Sequence, residues 1–151
     1  MNSIIEIPCV DRDERIGSAF NHLFSVINQT ENCTEDNVKW DFKKSSFSHP
    51  FFLAPLALYK KKCDKEIVCI NIPKHINDYY KLIYFDEMLL LNNDTNIEEV
   101  LSFYKDKTYI PICCFNICSS NVDALQSIIQ DIIERQSKAD IKIKTPLSYF
   151  L

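Results

Sequence analysis

The sequence predicts an α/β domain, with a mixed or mostly parallel sheet of about four to five strands packed by helices. Three observations carry this. Strand-like and helix-like segments alternate from Ser3 to Gln136. Two helical segments carry apolar stripes at the 3.6-residue period. The stretch Val38 to Ile72 reads as one complete β-α-β unit, which is the building block of parallel sheets.

Ile4-Ile5-Glu6-Ile7 reads as the first strand, stopped by Pro8. Asp11 or Asp13 is placed to start a helix, whose stripe is Ile16, Ala19, Phe20, Leu23, Phe24 and Ile27. The polar segment Asn28 to Asn37 reads as a loop. Val38 to Phe42 is the second strand, with β-branched and aromatic residues. Ser48 fits a helix N-cap and Pro50 the first helical turn, where no backbone donor is needed. Pro55 moves the expected start of regular helix to Phe52. Lys60, Lys61 and Lys62 sit where the helix dipole favours cations. Ile67 to Ile72 is the third strand.

Asn77 to Leu91 reads as a helix passing into an apolar segment. Asn92 to Thr95 is a turn with a cap, and Ile97, Val100, Leu101 and Tyr104 give a short helix. Thr108 to Asn116 is strand-like, with Pro111 pointing to an edge or a bulge. Val122, Leu125, Ile128, Ile129, Ile132 and Ile133 form the last helical stripe. From these periods the expected core is Phe20, Leu23, Phe24, Trp40, Phe42, Leu53, Leu56, Val68, Ile70, Ile112, Ile129 and Ile132.

Composition narrows the function classes. A net charge of −4 with scattered lysines argues against nucleic acid, whose affinity comes from clustered cations. Gly17 is the only glycine, which excludes the glycine-rich phosphate loops. No apolar run reaches the roughly 18 residues of a membrane span, and the first residues lack the basic and apolar regions of a signal peptide. The expectation is a cytoplasmic chain with its seven cysteines as reduced thiols. Cys113, Cys114 and Cys118 lack the paired spacing of a zinc site and read as small apolar residues of a strand. No cofactor and no metal is expected. His22, His49 and His75 read as structural, although His49 lies in a β-α turn, where α/β sheets bind ligands. A thiol enzyme using Cys9, Cys69 or Cys113 beside a histidine is the alternative reading.

The residues of the β-α-β unit carry a resemblance. Trp40-Asp41-Phe42 stands at a strand end and Phe47-Ser48-His49-Pro50-Phe51-Phe52-Leu53 at a helix entry. Ile67 to Ile72 is the next strand, and His75 to Leu90 the helix after it. This order resembles the STAS domain, the anti-sigma-factor-antagonist family, over residues 38–91. Pro50 stands where the family has its phosphorylatable serine, Phe52 at its glycine and His49 at its acidic residue, so no phosphorylation switch is implied. The resemblance implies a non-catalytic, regulatory protein-interaction domain. Its unidentified protein partner would meet the turn Ser48, His49, Pro50 and Phe51.

Tyr109-Ile110-Pro111-Ile112, the helix to Gln136 and Thr145 to Leu151 resemble the lead-in to a histidine-kinase-like (GHKL) ATPase domain. That implies a STAS-like domain over 1–118, then a linker helix and the start of an ATPase domain over 119–151. Thr145 and Pro146 fit a helix start, with too few residues after them for a stable helix. The chain is therefore expected to be the N-terminal part of a longer signalling protein, with no ATP site of its own.

Overall fold

The computed structural model describes residues 3–10, 15–46, 48, 50–92, 95–104, 107, 109–115 and 122–137. The chain divides into two compact units, Met1–Met88 and Leu89–Leu151. The boundary expected at 118 and this division do not coincide.

In the first unit, strand β1 (Ser3–Glu6) leads to helix α1 (Ile16–Glu31), strand β2 (Asn37–Asp41), helix α2 (Pro50–Lys62), strand β3 (Glu66–Ile70) and helix α3 (Lys74–Leu82). The strands form one parallel sheet in the order β1-β2-β3, with Ile5 opposite Trp40 and Trp40 opposite Cys69. Two crossovers of the same hand put both helices on one face of such a sheet. Helices α1 and α2 do pack on each other.

Alternation along each strand then decides what is buried. The row Ile5, Trp40 and Cys69 and the row Val38 and Ile67 lie on one face, with Trp40 fully buried. The opposite row is Ile4, Lys39 and Val68, of which Ile4 is 63% and Val68 46% exposed. Leu53 and Leu56 of α2 and Leu23 and Val26 of α1 complete the core of this unit.

Four local expectations change. Helix α1 runs on to Glu31, so residues 28–31, expected in a loop, are its last turn. Helix α1 begins at Ile16 after an extended Arg15 that supplies no side-chain cap; residues 11–14 lie outside the described residues. Helix α2 begins at Pro50, so Pro55 falls inside it, not in its first turn. A proline there cannot bond the Phe51 carbonyl four residues back. Phe24 and Val68, expected in the core, are exposed, while Phe20, Ile70, Ile112 and Ile129 are half-buried.

The second unit holds strand β4 (Leu89–Leu91), helix α4 (Ile97–Ser102), strand β5 (Cys113–Phe115) and helix α5 (Val122–Ser137). Strands β4 and β5 pair in parallel, Leu89 opposite Cys113. Asn96 caps α4 by accepting the Glu99 N–H at 3.3 Å. Leu101, Leu125, Ile128 and Ile132 form the core, so α5 is part of this unit's packing. The fold is thus α/β, with five helices and two open parallel sheets of three and two strands among the described residues, where one sheet of four to five strands was expected. The difference arises because, among the described residues, Leu89–Leu91 pairs only with Cys113–Phe115.

Candidate functional site

In open parallel sheets ligand sites gather at the carboxyl ends of the strands. In the first unit this edge is the row Glu6, Asp41 and Ile70, followed by the segment Phe42 to Phe51. Glu6 and Asp41 are neighbours across the sheet, and two carboxylates so placed repel. Each has its own donor. The Lys44 ammonium meets Glu6 Oε1 at 2.9 Å, an exposed pair of small energetic weight. Asp41 Oδ1 accepts the Lys43 N–H at 2.9 Å and the Asn71 side-chain amide at 3.0 Å. These two bonds, the Lys43 one first, hold the Asp41 carboxyl below its ordinary range. Asn71 has φ 54°, a left-handed conformation that asparagine tolerates better than most residues.

Ser48 is buried; its hydroxyl lies 3.1 Å from the Tyr80 hydroxyl, and its backbone bridges to Val10. The Tyr80 ring meets Phe42 edge-to-face at 5.6 Å and Phe85 at a tilt at 4.8 Å between centroids. Burial pushes the Tyr80 phenol up to about 12, against the pull of the Ser48 bond. Ser48 therefore joins the turn to α3 and offers no surface to a partner. The Ser45 hydroxyl, also buried, has no hydrogen-bond partner among the described residues. His49 lies outside the described residues, and Pro50 opens α2. Phe51 alone of the four predicted interaction residues presents a described exposed side chain, 49% accessible.

Phe51 leads to a feature the sequence reading missed. Its ring lies 6.5 Å from Phe20, which stacks on Phe24 at 6.4 Å. Phe24 is 63% exposed, and Ile16 and Leu58 extend the same two helices with 49% and 43%. The signal was present in the chain. Ile16 to Thr30 and Pro50 to Tyr59, 25 helical residues, contain no Asp, Glu, Lys or Arg. A chain that is 25% charged would place about six there.

A concavity of about 390 Å³ is lined on α3 and its following turn by Asn77, Tyr80, Lys81, Tyr84, Phe85, Asp86 and Glu87. Tyr84 and Met88 there have φ 57° and 51°. Asp86 pairs with Lys60 at 3.2 Å and adds to the burial that raises the neighbouring Cys69 thiol to about 12. Cys113, in the second unit, is raised to about 11, chiefly by burial. Cys9 Sγ lies 3.0 Å from the Ser46 hydroxyl. His22 sits on α1 and His75 is exposed on α3, while Cys118 lies outside the described residues. Among the described residues no three His, Cys, Asp or Glu side chains are grouped to hold a metal, and no helix is long and apolar enough to cross a membrane. Comparison with protein-family models, curated proteins and solved structures finds no match to this chain.

Proposed function

We propose that this chain is a non-catalytic protein-interaction domain, STAS-like in kind, that regulates an ATPase module of the GHKL type by binding a protein partner on the α1/α2 face beside the β2–α2 turn. The observation that carries the interaction role is the uncharged aromatic surface of Phe20, Phe24 and Phe51, two of them about half or more exposed. Exposed apolar patches of this kind mark interaction sites, and aromatic residues dominate the energetics of interfaces. The STAS-like and ATPase parts of the reading rest on the resemblance at Trp40 to Leu53 and Tyr109 to Leu151.

The thiol-enzyme reading has less support. A nucleophilic cysteine needs a lowered pKa, and Cys69 and Cys113 are displaced upward.

A photoreactive phenylalanine analogue at position 51 tests the interaction role. Irradiated in an extract of its source cells, the chain should form one discrete protein adduct. The same analogue at Glu66, an exposed position on β3, should form none. Absence of an adduct from position 51, or the same adducts from both positions, would refute the reading.

A further inference from the structure

The geometry points to a binding site for a free aromatic α-amino acid in the concavity beside α3, with Lys81 taking its carboxylate and Glu87 its ammonium. The site lies within the first unit and does not depend on the interaction reading of the α1/α2 face.

The enclosure suits a small molecule. A volume of about 390 Å³ falls in the range of small-ligand sites. Its floor is Tyr80 and Phe85, 4% and 1% exposed. Phe42 meets both rings edge-on, and the Tyr80 hydroxyl is already engaged with Ser48. The floor is therefore fixed and presents apolar ring surface. The turn after α3 makes the facing wall. Left-handed backbone at Tyr84 reverses the chain. The Phe85 N–H donates to the Tyr80 carbonyl at 2.9 Å and the Met88 N–H to the Tyr84 carbonyl at 2.8 Å, which holds the turn. The Tyr84 ring stands partly exposed beside the opening.

Charge selects the ligand. Among the described residues three charged side chains line the concavity, Lys81, Asp86 and Glu87. Asp86 is paired with Lys60. Lys81 and Glu87 share the concavity, yet among the described residues neither forms an ion pair, with the other or with a third group. The Lys61 ammonium holds the Glu87 carbonyl at 3.4 Å, which anchors that side of the wall. A simple anion here faces Glu87, and a simple cation faces Lys81. A ligand with an ammonium and a carboxylate on one carbon bridges the two and gains charge-assisted hydrogen bonds at both ends. An aromatic side chain on that carbon covers the ring floor, where offset and edge-on ring contacts are favourable. Asn77, one turn before Lys81 on α3, offers an amide to a phenol or indole at the far end.

Calorimetric titration of the full chain with L-phenylalanine, L-tyrosine and L-tryptophan tests this. At least one should bind with a Kd below about 1 mM. 3-Phenylpropionate lacks the ammonium and 2-phenylethylamine lacks the carboxylate, and each should bind at least about tenfold more weakly than L-phenylalanine. Lys81 and Glu87 are both exposed, so Lys81→Gln and Glu87→Gln should melt like the parent. Lys81→Gln should remove the advantage of L-phenylalanine over 2-phenylethylamine, and Glu87→Gln its advantage over 3-phenylpropionate. Glu66→Gln, an exposed carboxylate on β3, should leave all affinities unchanged. No binding of any of the three amino acids up to about 10 mM overturns the inference. So does equal binding of the two analogues, or parental affinity for L-phenylalanine in both the Lys81→Gln and Glu87→Gln chains. None of these results bears on the cross-linking from position 51, so this site and the interaction surface fail separately.

Discussion

The indole N–H of Trp40 donates to the hydroxyl of Thr30 at 3.1 Å, and that hydroxyl donates to the Val26 carbonyl at 2.8 Å. Trp40 and Thr30 are both fully buried, so helix α1 touches the centre of the sheet through a polar contact inside an apolar core. Thr30→Val keeps the shape and removes the acceptor. The stranded indole N–H should cost about 1–3 kcal/mol. Chemical denaturation measures this, and the loss should shrink in a Trp40→Phe background, where no donor remains.

Leu56 of α2 is fully buried. Leu56→Ala should destabilise the chain by about 2–5 kcal/mol through lost transfer energy and the cavity left behind. An unchanged denaturation midpoint would show that the site collapses around the smaller side chain.

Gly17 lies in the first turn of α1, and a Cβ placed there meets nothing within 4 Å. Alanine restricts the unfolded chain and suits a helix. Gly17→Ala should therefore stabilise by about 0.4–1 kcal/mol, seen as a higher melting temperature.

Alkaline pH should unfold the first unit. Burial raises Cys69 from 9.0 to about 12 and Tyr80 from 10.0 to about 12. Both groups hold their protons longer in the folded chain than in the unfolded one. Stability is then full below about pH 9 and falls as pH rises toward 12, since the folded state binds more protons in that window. Melting temperature recorded against pH should show this slope, and Cys69→Val should flatten part of it. A melting temperature constant from pH 8 to 11 would contradict the burial of both groups.

The β2–α2–β3 unit was legible because its signals are local. Pro50 suits a helix start, Lys60 to Lys62 suit a helix end, and Ile67 to Ile70 is a continuous apolar strand. What failed was the choice of face. In α1 the buried positions are Ala19, Leu23, Val26 and Thr30, while Phe20 is half-buried and Phe24 turns outward. The expected stripe holds the buried Ala19 and Leu23, but a periodicity weighted by size adds the exposed Phe24 and passes over Val26 and Thr30. The inward face needs a small residue and a hydrogen-bond acceptor for the Trp40 indole. Val68 failed for a related reason. A strand that is apolar throughout hides its alternation, and only the pairing of Trp40 with Cys69 shows which residues point inward. In the turn Ser48 to Phe51, expected as an interaction surface, Ser48 is buried and its hydroxyl meets that of Tyr80, 32 residues away. Nothing in the local sequence signals a contact of that range.

The strand order β1-β2-β3 follows the order of synthesis. Ile5 and Trp40 are 35 residues apart, and Trp40 and Cys69 are 29 apart. Each parallel pairing therefore closes a loop of similar, moderate length, and each new strand meets the strand made just before it. A nascent chain can dock β2 on β1, then β3 on β2, as each leaves the ribosome. The first unit ends at Met88, so its sheet can be complete while the 63 residues of Leu89–Leu151 are still being translated. Slow parallel pairing, a hazard for aggregation in folds that insert strands out of order, is here divided into two short sequential steps.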